Sequence, residues 1–452
     1  MVKIGLEIHV QLNTKSKIFC NCATSGNDVP NTRTCVTCLG MPGSKPSLNK
    51  EVIMQALKIA LALNCKISQE MFFSRKSYFY PDLTKNFQIT QYEIPLAIDG
   101  TLDNIRIKRV HIEEDPGKLI HMGNTTLIDY NRSGIPLVEI VTEPDFKTSN
   151  EVRTFLNKLI TILEYLNVYS RISEASLRAD VNVSIQNGAR VEIKNVNGIK
   201  EVEKAIEFEI SRQEKDLPKQ QETRAWDTLK QKTFLLRTKE TEEDYGYIFE
   251  PDLTKIELSK DLIEKIKNEL PELAFDKLNR FTKDFKIKEA DAKALTSDIL
   301  LADLFEKVSK KVNPELAAKW LRRELPRVLH YNKKTMKDVQ IDETHMIQLL
   351  NLLEKGQITN TTAQRIIEKL IEKPFSVLDY IKKEGLLMLN KEEELRKVCS
   401  EILKENPKAI NDYKLGEVKA LDFLLGKVMA KTKGTAEPNL VRKILLELIK
   451  QF

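Results

Sequence analysis

Five segments of this sequence carry acidic, imidazole or cationic residues at every second position, the spacing that lines up side chains on one face of a β-strand. In Gly5–Leu12, Glu7, His9 and Gln11 share a face, and Leu6, Ile8, Val10 and Leu12 fill the other. In Arg109–Glu113, Arg109, His111 and Glu113 align, with Glu114 and Asp115 directly after them. Glu139 and Glu143 interrupt an apolar run, while Arg178, Asp180, Asn182 and Ser184 alternate with Leu177, Ala179, Val181 and Val183. Glu192 and Lys194 share the last such face. A carboxylate, an imidazole and an amide in a row are costly to bury without a partner, and a cation is the simplest one. Hard oxygen ligands with an imidazole suit Mg²⁺, the usual companion of nucleotide phosphates. Any one of these segments could be a surface strand with a wet face. Five of them in one domain favour the floor of an active site.

Two further groups could do chemistry. Cys20, Cys22, Cys35 and Cys38 follow the spacing C-x-C-x12-C-x2-C in a polar loop. In a reducing compartment this reads as a tetrahedral structural zinc knuckle, with two disulfides or free thiols as the alternatives. Between Phe73 and Tyr92, Arg75, Lys76 and Lys85 are interleaved with Tyr78, Tyr80 and Tyr92. Such a segment could hold phosphates or a terminal nucleotide, or be a polar loop anchored by aromatics. Cys65 and Cys399 lie in helical patterns and read as packed hydrophobes.

The elements that must position these residues fall into two blocks. Residues 1–250 are rich in alternating segments joined by short turns such as Asp115-Pro116-Gly117, Ser133-Gly134 and Asn187-Gly188, which predicts a mostly antiparallel sheet. Thr148–Glu151 is a capping box opening a helix with Val152, Phe155, Leu159 and Leu163 on one face. Residues 255–452 carry helical periodicity over 262–273, 290–308, 313–329, 344–355, 361–372, 392–404 and two segments within 421–452, punctuated by Pro271, Pro314, Pro326, Pro374 and Pro407. Strands and helices in separate blocks predict an α+β fold. From Lys427 onward, Lys427, Lys431, Lys433, Arg442, Lys443 and Lys450 face only Glu437 and Glu447, so the tail could meet a phosphate backbone or be a solvated basic helix pair.

Composition bounds the rest. The 452 residues are 41% hydrophobic and 31% charged, fitting a folded chain with a sizeable core. Lys and Arg (72) nearly balance Asp and Glu (66), so nucleic-acid binding needs local evidence. No apolar run approaches the roughly 20 residues of a membrane span, and Met1–Leu6 has no basic leader character, which predicts a cytoplasmic protein without membrane partners. There is no Gly-x4-Gly-Lys-Ser/Thr loop, no Gly-x-Gly-x-x-Gly fingerprint and no Gly-x-Ser-x-Gly elbow.

The motifs occur in a specific order: Gly-Leu-Glu-Ile-His-Val-Gln-Leu, Cys-x-Cys…Cys-x2-Cys-Leu-Gly-x-Pro-Gly, Arg-Lys-x-Tyr-x-Tyr-Pro-Asp, His-Ile-Glu-Glu-Asp-x-Gly-Lys, Asn-Arg-x-Gly-x-Pro-Leu-Val-Glu-Ile, Ser-Leu-Arg-x-Asp-x-Asn-Val-Ser and Glu-Thr-Arg-x-Trp-Asp. In these the chain closely resembles the B subunits of the glutamyl-tRNA(Gln)/aspartyl-tRNA(Asn) amidotransferase, over essentially its whole length. The resemblance implies a cradle-like catalytic domain over 1–283, a helical domain over 284–396 and a tRNA-binding tail over 397–452. It implies phosphorylation of the side-chain carboxylate of a misacylated tRNA by ATP, followed by amidation with ammonia. On matching positions, Glu7, His9, Glu113, Glu139 and Asp180 fall in the Mg²⁺-binding cluster of the kinase site. Arg178, Lys85 and Lys194, with Lys76, fall where phosphate or the substrate carboxylate would be met. The implied partners are misacylated Glu-tRNA(Gln) or Asp-tRNA(Asn), a glutaminase (amidase) subunit and a small third subunit, in a heterotrimer. A non-catalytic, zinc-stabilised tRNA-binding subunit is the competing reading. The acidic strand faces weigh against it, because a pure RNA binder would keep carboxylates away from phosphates.

Overall fold

A computed structural model of the chain describes residues 1–170, 177–238, 245–387, 392–432 and 434–450. It shows the α+β organisation, in two compact units, Met1–Leu273 and Ala274–Phe452.

The first unit is built on a sheet of nine strands among the described residues. Their order is Lys232–Thr238, Glu222–Asp227, Val191–Asn197, Leu177–Ser184, Lys3–Gln11, Pro136–Thr142, Ile105–Glu114, Ala97–Leu102 and Lys66–Ile67. Every neighbouring pair is antiparallel except Val191–Asn197 with Glu222–Asp227, which the helix Ile199–Lys215 connects. A parallel pair needs such a crossover, whereas antiparallel partners can be joined by turns. Asn187, at a φ of 68°, turns the chain between two of them, at the Asn-Gly pair the sequence marks. The two strand faces differ as the alternation predicts. Leu6, Ile8 and Val10 are buried with Ala179, Val181, Val138, Ile140, Val110 and Ile112 in one core, to which the helices Lys50–Ala62, Ser149–Tyr165 and Ile199–Lys215 contribute.

The capping box at Ser149–Tyr165 forms: Thr148 Oγ1 accepts the Glu151 N–H (3.2 Å) and Glu151 accepts the Thr148 N–H (3.3 Å). Thr148→Ala is expected to lower stability by about 1 kcal/mol in urea unfolding, with the fold retained.

The second unit is helical and has two cores. Residues 281–381 supply one, including Phe305, Trp320, Leu350 and Ile367. Residues 395–449 supply the other, including Leu395, Leu424, Val441 and Leu445. Two departures from the periodicity have local causes. The predicted helix over 290–308 is broken into Glu289–Thr296 and Ile299–Val308, because Asp298 caps the second by accepting from Leu300 N (2.9 Å) and Leu301 N (3.2 Å). Pro326 does not punctuate. Helix Pro314–Lys319 runs on through a π-helical turn at Trp320–Glu324 into Leu325–Tyr331, with the Leu325 N–H bonded to Trp320 O. A widened turn is a known way for a helix to absorb a proline that cannot donate. The short helices Val377–Glu384 and Pro407–Lys414 add to those the periodicity predicts. In the tail, Lys431 pairs with Glu401 (2.9 Å) and Arg442 pairs with Asp422, so part of its positive charge is met within its own bundle. Lys433 lies outside the described residues. Among the described residues no helix is long and apolar enough to cross a membrane. Cys65 and Cys399 are buried, as their patterns suggest.

Candidate active site

The polar face of the sheet is assembled by register. Arg178, His9, Glu139 and His111 are successive cross-strand partners on four strands and form one transverse row. Asp180, Glu7, Val141 and Arg109 form the adjacent row. Directly opposed side chains on a sheet face approach closely enough to interact, so chain alternation becomes a cluster only through this pairing.

His9 Nδ1 lies 3.1 Å from Glu113 Oε1 and 3.9 Å from Glu139 Oε2. His111 Nε2 lies 3.2 Å from Glu139 Oε2 and 3.9 Å from Glu113 Oε2, and Thr90 Oγ1 donates to Glu113 Oε2 at 3.4 Å. One ligand atom from each of His9, Glu113 and Glu139 lies within 4.8 Å of the others, and the same holds for Glu7, Asp180 and Glu192. The five residues grouped from the sequence therefore fall in two triads: His9, Glu113 and Glu139 converge, and Glu7 and Asp180 converge with Glu192. Asp180 faces Glu7 directly in the second row, and a bulge in the strand Val191–Asn197 opposite it brings Lys194 and Asn195 onto the same carboxylate. Its Oδ1 accepts the Asn195 N–H (2.7 Å), and its Oδ2 accepts from Lys194 Nζ (2.8 Å), which also contacts Glu192 (2.6 Å).

The electrostatics follow from burial and proximity. Burial works against charge on His9, but the hydrogen bond to Glu113 and the charges of Glu139, Glu113 and Asp180 outweigh it and push its pKa up to about 9. Burial is likewise outweighed at His111, where Glu139 and Glu113 push the pKa up to about 9. Glu139 is held down to about 2 by His111 and His9 against its own burial, and Glu113 is held well below the carboxylate range by the same two rings. Glu7 goes the other way: burial and then the Glu139 charge raise its pKa. Burial opposes the Lys194 ammonium, but Asp180 and Glu192 hold its pKa well above the lysine value.

The donor set fits a divalent cation. It offers carboxylate oxygens with an imidazole at mutual reach, and a carboxylate (Glu7) whose charge is under-compensated. The buried polar atoms without a partner among the described residues include His111 Nδ1, Arg109 Nε and Asn182 Oδ1, all on this face. Orphaned buried polar atoms are uncommon in folded proteins; these three lie where a ligand would be met, while others sit elsewhere, at Gln55, Ser309, Trp320 and Gln348.

The cationic residues singled out in the sequence occupy distinct places. Arg178 donates to Asp115 (2.9 Å), which Arg132 also approaches (3.4 Å). Lys85 donates to Glu114 (2.7 Å). Lys76 lies with its ammonium 4.3 Å from the Tyr245 ring centre and 5.8 Å from that of Tyr78, while Tyr92 stacks on Tyr247 at 4.0 Å. His111 and Glu192 are not among the metal ligands that the resemblance implies. The period-two pattern places His111 beside Glu113 and Glu192 beside Lys194, so the signal is present, but the pairing that gives it meaning is not.

The four cysteine sulfurs lie within 4.8 Å of one another and none is in a disulfide. Four thiolates at about 2.3 Å from a central zinc would have this mutual spacing. Cys38 Sγ accepts the Cys35 N–H (3.1 Å) and lies 3.6 Å from the ammonium of the fully buried Lys17. Hydrogen bonds from Cys20 and the Cys35 backbone, and then Lys17, lower the Cys38 pKa to about 4 despite burial, whereas the hydrogen bond to Cys38 raises Cys20 and burial pushes Cys22 up to about 11.

Two family models match the chain: the GatB/GatE catalytic domain over residues 2–264, and the GatB domain over residues 303–449. Among relatives, the B subunit of an aspartyl/glutamyl-tRNA(Asn/Gln) amidotransferase from Carboxydothermus hydrogenoformans is 41% identical over 467 residues, covering 98% of this chain and 97% of that protein. A protein of the same name from Thermoanaerobacter pseudethanolicus is 42% identical over 465 residues, covering 98% of each chain. A third, from Methanothermobacter thermautotrophicus, is 42% identical over 455 residues, covering 99% of this chain and 100% of the other.

Proposed function

Because the chain belongs to the family of aspartyl/glutamyl-tRNA(Asn/Gln) amidotransferase B subunits, we propose that its polar sheet face activates the side-chain carboxylate of a misacylated tRNA with ATP and then amidates it. The observation that carries this reading is the convergence of His9, Glu113 and Glu139 beside Glu7 and Asp180 on one sheet face.

A carboxylate is a poor acyl donor until one of its oxygens becomes a leaving group. In the first step that oxygen bonds to the γ-phosphorus as the bond to the bridging oxygen breaks, and ADP departs. In the second, ammonia attacks the acyl carbon, the carbon–oxygen bond to phosphate breaks, and the surplus proton of ammonia leaves with inorganic phosphate. Phosphoryl transfer needs positioned charge more than covalent assistance. Mg²⁺ held by His9, Glu113 and Glu139, with Glu7 and Asp180 adjacent, would supply positive charge to phosphate oxygens. Arg178, Lys194, Lys85 and Lys76 supply the remaining positive charge for the phosphates and the substrate carboxylate. Asp115, Asp180 and Glu114 fix the first three of these cations by direct ion pairs. Cys20, Cys22, Cys35 and Cys38 hold a structural zinc. In this reading ammonia comes from a partner amidase subunit, a small third subunit completes the assembly, and the helical unit meets the body of the tRNA.

The test is to give the purified complex Mg-ATP and ammonium with Glu-tRNA(Gln) and with Asp-tRNA(Asn) in turn. At least one should yield the amidated aminoacyl-tRNA with one ADP per product. Tight tRNA binding with no ATP turnover on either substrate would instead support a non-catalytic tRNA-binding subunit.

A further inference from the structure

The cysteine loop does more than close on itself. The Cys38 carbonyl accepts from Thr84 Oγ1 (3.0 Å) and from Ser133 Oγ (3.2 Å). Thr84 immediately precedes Lys85, whose ammonium sits on Glu114 (2.7 Å). On the other side of the loop, Gly134 N–H donates to Asp115 O (2.9 Å), and Asp115 N–H donates to Ile135 O (2.9 Å). Both hydroxyls reaching Cys38 thus belong to segments that carry or hold charged groups at the site.

Gly40 closes the contact. It lies two residues beyond Cys38 with a φ of +65°, and a Cβ there would overlap Lys85 Cγ while lying 3.2 Å from Thr84 O and 3.3 Å from Lys85 Cα. The loop backbone therefore rests directly on the stem of Lys85. A small cavity of about 190 Å³ opens at this junction, lined by Cys20, Cys38, Gly40, Lys85 and Glu114 among others. A lysine side chain carries large rotamer entropy, so an ammonium is well placed only if its stem is confined as well as its tip. Here Glu114 holds the tip and the loop confines the stem.

We propose that the four-cysteine knuckle sets the position of Lys85 in the reaction, with Gly40 and the Cys38 carbonyl as the positioning groups. This rests on the assignment of Lys85 to the substrate site made above. The loop has its own rigidifying device: four sulfurs gathered at metal-binding distance, with buried Lys17 against Cys38 and on Tyr130 O (3.3 Å). The knuckle supplies no member of either acidic triad, yet its state reaches the chemistry through Thr84 and Lys85.

The test uses the full chain in its purified complex, with free ammonium as nitrogen donor and zinc measured in every sample. G40A should keep about one zinc per chain and a KM for misacylated tRNA within about twofold, while kcat falls at least about tenfold, the usual consequence of a displaced reacting or positioning group. In a K85M background G40A should add less than about twofold, because both changes act through one ammonium. Removing zinc by chelation should repeat this pattern. Amide hydrogen exchange should rise over residues 83–90 in G40A and stay unchanged over 3–11. A crippled K85M beside an unimpaired, zinc-loaded G40A would overturn this proposal alone, as would effects of G40A and K85M that multiply. A K85M chain with wild-type kcat would overturn the assignment of Lys85 itself, and this proposal with it.

Discussion

Replacing Glu113 by Gln is expected to lower tRNA-stimulated, Mg²⁺-dependent ATP hydrolysis by at least about a hundredfold, the scale on which losing preorganised charge at a developing transition state is felt. Glu113, like Glu139, lies against both imidazoles of the face, at 3.1 Å from His9 and 3.9 Å from His111. Gln keeps the volume and one acceptor oxygen but removes the negative charge. It leaves the Glu113 side of both rings uncompensated, and it weakens any divalent ion shared with His9 and Glu139. If the helical unit meets the tRNA body as proposed, tRNA affinity measured in parallel should stay within about twofold. Hydrolysis at the wild-type rate in E113Q would remove Glu113 from the catalytic centre. Loss of both hydrolysis and tRNA binding would point to a damaged fold instead.

The largest expected effect on stability lies elsewhere in the same unit. Glu209 is fully buried on the helix Ile199–Lys215 and accepts from Arg212 Nη2 (2.7 Å), Gln213 Nε2 (2.9 Å) and Thr233 Oγ1 (3.0 Å), with Arg224 at 3.8 Å. Arg212 and Arg224 also share Glu222. One carboxylate thus joins the crossover helix to the two strands at the end of the sheet, Glu222–Asp227 and Lys232–Thr238. Removing one partner of a buried ionic network leaves the others desolvated without compensation, so Glu209→Ala should cost about 3–5 kcal/mol. Glu209→Gln, which keeps hydrogen-bonding capacity, should cost less. Urea unfolding followed by the fluorescence of Trp226, on the adjacent strand, reads this unit. A midpoint unchanged in the alanine variant would show that the two arginines are satisfied without Glu209.

Much of the site is legible along the chain, and the reason is geometric. A strand repeats every two residues, so Glu7 with His9 and His111 with Glu113 can be grouped on faces without coordinates. Local signals with a fixed backbone consequence also hold: the Thr148–Glu151 capping box, the Asn187-Gly188 turn and the spacing of the four cysteines. What the sequence does not carry is the pairing between strands. That His9 faces Glu139, and Glu139 faces His111, depends on register between segments far apart in sequence. The approach of Lys194 and Asn195 to Asp180 depends on a bulge in Val191–Asn197, whose only sequence trace is an asparagine, Asn195, that adopts a φ of +53°. Periodicity fails at the breaks of the helical half for a similar reason. The cap at Asp298 and the π-turn ahead of Pro326 are decided by which backbone groups find partners, and periodicity is blind to that.

The transverse row across the sheet has a consequence for how the chain is made. Its members come from residues 9, 111, 139 and 178, so the strand Leu177–Ser184 must leave the ribosome and insert beside Lys3–Gln11 before the row is complete. The cysteine loop, by contrast, has all four sulfurs by residue 38. A nascent chain therefore has its four-sulfur group complete early, while the His9, Glu113 and Glu139 triad is enclosed only after the central strand has been paired on both sides.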